Sequence, residues 1–205
     1  MFCDVRGFTT LAERLDAGQI FAVLSGLLRH VSPIVRTNRG FIDKFIGDAV
    51  MGLFPQSPRD AAAAAVAIQH AVQRYTRGEA TGGALSVGIG IHTGATMLGT
   101  IGDASRMEAT VISDAVNVSA RLESLTCWFQ VGVLISETAL SQIDDPRPYE
   151  PRLLGRVRVK GKRQPIAIHE LVAGDEEAVR AHKLLTQEAF VAALASFQRG
   201  DFADA

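Results

Sequence analysis

The sequence predicts an α+β fold in which helices pack against one sheet, and three observations carry that reading. Segments of helical period and segments of strand period are mixed along the chain, with several hairpins among them. The clearest hairpin joins Phe41–Ile46 to Ala49–Phe54 through a tight Gly47-Asp48 turn. Of the 205 residues 47% are hydrophobic and 21% charged, which is enough apolar material for a real core in one domain with a short appendage.

Taken in order, "MFCDV" reads as a strand, with only three residues before Asp4. A short helix and a longer one follow. In the longer one Ile20, Val23, Leu24, Leu27, Leu28 and Val31 recur at helical spacing, and Gly40 is read as its C-terminal glycine. After the hairpin comes an alanine-rich helix from about Arg59 to Tyr75, then a loop over Gly78–Gly83. "ALSVGIGIHTG", "TMLGTIG" and "EATVIS" are strand-like, and Asp114 is read as the cap of a helix through "AVNVSARLESL". "VGVLIS", "RLLGRVRVKG" and "QPIAIHELV" complete the strands. Beyond Val172, residues 173–205 form a helical tail with two readings: the opening of a tetratricopeptide-like repeat, or a terminal helix folded back on the domain.

The bulk numbers exclude several classes. A net charge of −1 without a Lys/Arg block argues against nucleic-acid binding. Cys3 and Cys127 are isolated and match no metal or disulfide spacing, so a reducing cytoplasmic setting is expected. No membrane segment is expected, because Arg29 and His30 interrupt the apolar stretch Ile20–Val35.

Within the hairpin, strict alternation places Ile42, Lys44 and Ile46 on one face, and a lysine buried between isoleucines requires compensation. Asp4 at a strand end and Asp48 at a hairpin tip meet at one sheet edge if their strands are neighbours, and together suit divalent cations and phosphates. Either alone is most often structural. The small-residue turn Arg6–Thr10 presents main-chain amides suited to phosphate. Asn117 and Arg121, four apart, share a helix face, by itself an ordinary solvated surface. Lys160 in "VKGK" reads equally as a surface lysine or a phosphate ligand, and His92 as a packed or hydrogen-bonded histidine with no assigned role.

The order of these pieces is more specific than any one of them. "FCDVRGFTTL", "RGFIDKFIGDAVM", "VGIGIHTG", "TVISDAVNVSARLE" and "VKGK" together resemble the class III adenylate/guanylate cyclase catalytic domain over residues 1–172. The resemblance implies a ferredoxin-like antiparallel sheet covered by helices, paired head to tail in a homodimer with two composite sites. It implies that Asp4, Asp48 and Val5 hold two Mg²⁺ or Mn²⁺ ions, that Lys44 and Thr110 read the base, and that Asn117 and Arg121 act at the reacting centre. Lys160 and the turn residues Gly7, Phe8 and Thr9 would bind the triphosphate. The implied reaction converts ATP to 3′,5′-cyclic AMP and pyrophosphate. Members specific for guanylate carry glutamate and cysteine where this chain has Lys44 and Thr110.

Two departures from the family pattern stand out. Ser113 replaces a usual glycine ("VIGDAVN") and would strain a turn that required positive φ. The first strand begins late, which together with the unfinished tail leads us to expect a fragment of a longer regulated protein, weakly active or inactive until lengthened at its N-terminus. The alternative within the family is a nucleotide-binding regulatory domain that has lost catalysis. An RNA-binding module lacks its aromatic motif here, and a diguanylate cyclase lacks its Gly-Gly-Asp/Glu-Glu-Phe signature.

Overall fold

The computed structural model describes residues 1–78, 85–103, 106–159 and 164–201, with 78, 101 and 106–110 described by their main chain alone. A seven-stranded sheet runs in the order β2-β3-β1-β4-β7-β9-β8. Its strands are β1 (Phe2–Val5), β2 (Phe41–Ile46), β3 (Ala49–Leu53), β4 (Val87–Ile91), β7 (Val133–Ser136), β8 (Pro151–Val157) and β9 (Ile166–Leu171). A separate ribbon pairs β5 (Met97–Asp103) with β6 (Arg106–Ile112).

The first four strands, with α2 (Ala17–Thr37) and α3 (Pro58–Gly78) between them, make a βαββαβ ferredoxin-like unit. Every pair in the sheet is antiparallel except β4–β7, so the sheet is mixed where an antiparallel one was expected. The physical reason is the crossover through α4 (Asp114–Phe129), which returns the chain to the same edge in the same direction.

Helices α2 and α3 cover one face of the sheet. Asp16 opens α2 through a reciprocal capping box with Gln19, and Val23, Leu27, Val31 and Val35 form its buried stripe. Among the described residues α2 alone is long and apolar enough to cross a membrane, but that stripe packs against Cys3, Val50 and Ile89. The left-handed residue that ends α2 is Arg39 (φ +60°), not Gly40 as expected. Gly40 serves packing instead, since a Cβ there would lie 2.5 Å from the Phe54 ring.

On the opposite face α4 lies along β4, and glycine makes that possible. Side chains alternate, so Val87, Ile89 and Ile91 enter the α2/α3 core while Gly88 and Gly90 face α4. A Cβ on Gly90 would come within 2.2 Å of the Ser119 carbonyl and the Glu123 amide, main-chain atoms that cannot step aside.

Helix α4 starts at Asp114, and its cap is Ser113 rather than the expected Asp114. Ser113 is extended (φ −165°), its hydroxyl accepts from the Ala115 amide and donates to the Ala95 carbonyl, and the anticipated strain is absent.

The short helices α1 (Phe8–Ala12) and α5 (Glu137–Leu140) add to the α2/α3 core, α5 through buried Ala139 and Leu140 and α1 through Phe8 and Leu11. At the far edge α6 (Glu177–Leu185) and α7 (Gln187–Arg199) fold back on the sheet, α7 against β8. Arg152 stacks over the Phe190 ring at 4.3 Å.

Candidate active site

Strand β1 lies between β3 and β4, so its C-terminal end emerges beside the β2–β3 turn. Gly47, at φ +63°, makes that turn tight, and the Asp48 carboxyl comes within hydrogen-bonding reach of Asp4. The expected meeting of the two acids is present. Partial burial, followed by the hydrogen bond and charge of Asp48, pushes the Asp4 carboxyl up to about 7. The Val5 amide works against this by donating to Asp4 Oδ1 at 3.0 Å.

A hard divalent cation suits this donor set, because it replaces carboxylate repulsion with attraction. Among the described residues no group of three His, Cys, Asp or Glu side chains is placed as a metal cluster, so two carboxylates leave coordination positions for phosphate oxygens and water. Two residues after Val5, Gly7 adopts φ +63° at the start of α1, and among the described residues no side chain caps that terminus. The amides of Phe8, Thr9 and Thr10 therefore begin a helix next to the acids, as a phosphate site requires.

Sequence reasoning missed Glu123. It stands on α4 two residues past Arg121, about 200° around the helix, so the two point to opposite sides. Glu123 faces Gly88, where an added Cβ would lie 2.9 Å from its Oε1, and Gly88 pairs with Asp4 across β1–β4. Burial raises its pKa, with Asp48 adding to the rise and Arg6 opposing it. The glycine alternation in "VGIGI" was the available signal, but only the packed helix says which α4 residue fills the gap.

Lys44 is placed differently from expectation. Strand β2 bulges: Ile42 pairs with Gly52 and Lys44 with Met51, leaving Asp43 without an opposite residue. Ile42 therefore packs into the α2/α3 core, while Lys44 stands on the other face beside Met51, which clusters with Phe2 and Val111. Ile42 and Lys44 do not share a face, because the extra residue reverses the alternation. A cavity of about 200 Å³, lined in part by Phe2, Phe41, Met51 and Leu98, opens on that same face, and neither Asp4 nor Asp48 lines it.

The other expected site residues lie apart from the acids. Asn117 is exposed and Arg121 half-buried on α4. Thr110 lies in β6 opposite Gly99, next to Val111, and its side chain falls outside the described residues. Lys160 itself also lies outside them. The strand ends that flank it, Val157 and Ile166, are at the opposite end of the sheet from Asp4. His92 is hydrogen-bonded through Nδ1 to the Ser136 hydroxyl at 2.6 Å, in keeping with a histidine given no catalytic role.

The family model for the adenylate and guanylate cyclase catalytic domain matches residues 1–173. The chain belongs to this cyclase family. It is 40% identical over 181 residues to an adenylate cyclase from Anabaena cylindrica, a match covering 84% of this chain and 36% of that protein. The chain thus spans little more than a third of that curated relative.

Among solved cyclase structures, an adenylyl cyclase from P. aeruginosa superposes with a TM-score of 0.70 at 31% identity, covering 86% of this chain and 92% of the other. A guanylyl cyclase superposes equally well, with a TM-score of 0.71 at 28% identity over 86% of this chain and 91% of the other. Backbone similarity therefore does not choose the purine.

Proposed function

We propose that this cyclase domain converts ATP to 3′,5′-cyclic AMP and pyrophosphate at two composite sites of a head-to-tail homodimer. The observation that carries the reading is the division of parts. Asp4, Asp48 and the α1 amides gather at one end of the sheet, whereas the β8–β9 connection bearing Lys160 leaves from the other. The described residues of a single copy do not close a site around one nucleotide, and a second copy turned end for end would supply what is missing. Apolar residues without cover support the pairing: Met97, Leu98 and Ile112 on the ribbon, and Phe45 and Ile46 at the end of β2, are all exposed.

Two divalent cations, Mg²⁺ or Mn²⁺, held by Asp4, Asp48 and the Val5 carbonyl, would make the ribose 3′-hydroxyl more acidic and neutralise the leaving pyrophosphate. The α1 amides of one copy and Lys160 of the other hold the β- and γ-phosphates, fixing the α-phosphorus for in-line attack. Arg121 stabilises charge on the five-coordinate phosphoryl group, and Asn117 orients the ribose. Lys44 donates to adenine N1 and Thr110 accepts from the N6 amino group, a pattern that guanine reverses.

We place the domain in the cytoplasm, where ATP is supplied, within a longer regulated protein. Specific activity with ATP and Mn²⁺ should rise with protein concentration until the dimer saturates. Activity unchanged across that range, with sedimentation showing a monomer throughout, would end the composite-site reading.

Base choice has a separate test. The double variant Lys44→Glu/Thr110→Cys should move the ATP-to-GTP ratio of kcat/KM toward GTP by roughly ten- to a thousand-fold, since each buried mismatch leaves a polar group unpaired. An unaltered ratio would refute the assigned base pocket.

A further inference from the structure

Asp43 has no place in the chemistry so far, yet its position is built with care. It is the extra residue of the β2 bulge, and the bulge is what carries Lys44 from the helix-covered face to the face that holds Met51, Phe2 and Val111. Only 6% of the Asp43 side chain is exposed, against 26% for Lys44, and Asp43 Oδ2 lies 3.5 Å from Lys44 Nζ. That oxygen is fully buried and makes no hydrogen bond with the described residues.

A buried carboxylate oxygen without a donor is costly, and a nearby ammonium relieves the cost most when the two close to normal hydrogen-bond length. From this geometry, and resting on the base-reading role given to Lys44 above, we propose that Asp43 is a positioning residue, which holds the Lys44 ammonium against the purine and thereby sets the preference for ATP.

The arrangement has a chemical logic. A lysine side chain has four rotatable carbons, and alone it would meet adenine N1 only by giving up that freedom. A fixed anion beside the ammonium limits its directions before the nucleotide arrives. Adenine N1 accepts such a donor, whereas guanine presents an N–H at the same place. Asp43 touches no reacting atom in this scheme and acts through Lys44.

The test is Asp43→Asn, which keeps the shape and removes the charge, assayed with ATP and with 1-deaza-ATP, whose C–H in place of N1 gives Lys44 nothing to bind. For ATP, KM should rise about tenfold with kcat nearly unchanged, the loss of one charge-assisted hydrogen bond's orientation. For 1-deaza-ATP the substitution should change kcat/KM by less than about twofold. Equal losses on both nucleotides would mean a structural role only and overturn the proposal.

If wild-type protein uses ATP and 1-deaza-ATP equally, the base-reading role of Lys44 fails and Asp43 with it, while the cyclase chemistry stands. No product from any nucleotide, with the protein lengthened at its N-terminus, would remove both readings. Should Asp43→Asn melt too low to assay, Asp43→Ser removes the same charge without added bulk and gives the same comparison.

Discussion

Asp48→Ala and Arg121→Ala should each abolish cyclic AMP formation, and mixing the two proteins should restore about a quarter of wild-type activity. In the proposed site each substitution would remove an essential interaction, a metal carboxylate or a cation on the transferring phosphoryl group, and losses of about a hundredfold or more are usual for such groups. In a head-to-tail dimer of one variant with the other, both lesions fall in the same site. The second site then has intact acids from the Arg121→Ala copy and an intact arginine from the Asp48→Ala copy. Random exchange makes about half the dimers mixed, each with one working site of two. Cyclic AMP release after co-refolding or co-expression measures this directly. A mixture as silent as its components would place both residues in one chain's own site.

Glu170→Gln should lower folding stability by about 3–5 kcal/mol, which corresponds to a fall of roughly 10 °C in Tm for a chain of this size. Glu170, on β9, is 1% exposed. It accepts from Arg152 on β8 and from Lys183 on α6, and Lys183 also donates to Asp175 at 2.7 Å. Without the Glu170 charge, Arg152 and Lys183 are left desolvated with Asp175 as the acid still bonded to Lys183. Burial already raises the Asp175 pKa, which its bond to Lys183 only partly offsets.

Because Lys183 comes from the tail, the same substitution should also expose α6 and α7 to limited proteolysis before the sheet unfolds. Urea melts followed by circular dichroism would quantify the loss. A change below about 1 kcal/mol would show that this network behaves like an exposed surface pair.

The hairpin was readable residue by residue, because Gly47-Asp48 between two apolar runs has few other conformations. The meeting of Asp4 and Asp48 was readable only on the condition that their strands are neighbours, which the sheet order meets. The bulge at Asp43 was not readable: "FIDKFI" alternates acceptably in either register, and no glycine or proline marks the extra residue. Nor was Glu123, since helical spacing gives its angle from Arg121 but not the glycines that α4 would lie against. Gly40 was misread because packing against Phe54, rather than backbone conformation, requires a glycine there. Ser113 was misread because a side-chain cap does what was assigned to backbone freedom. Local turn chemistry was legible, and close contacts between distant segments were not.

The contact between α4 and Gly90 has a mechanical result. A helix seated with its main chain directly on a strand has no side-chain cushion to compress, so it moves with that strand as one stiff bar. One flank of the bar carries Glu123 beside its own chain's acids, and the other carries Asn117 and Arg121, which the proposed pairing turns toward the neighbour's nucleotide. Tilting one copy against the other would then reset both catalytic centres in a single rigid stroke, leaving the interior of each copy as it was.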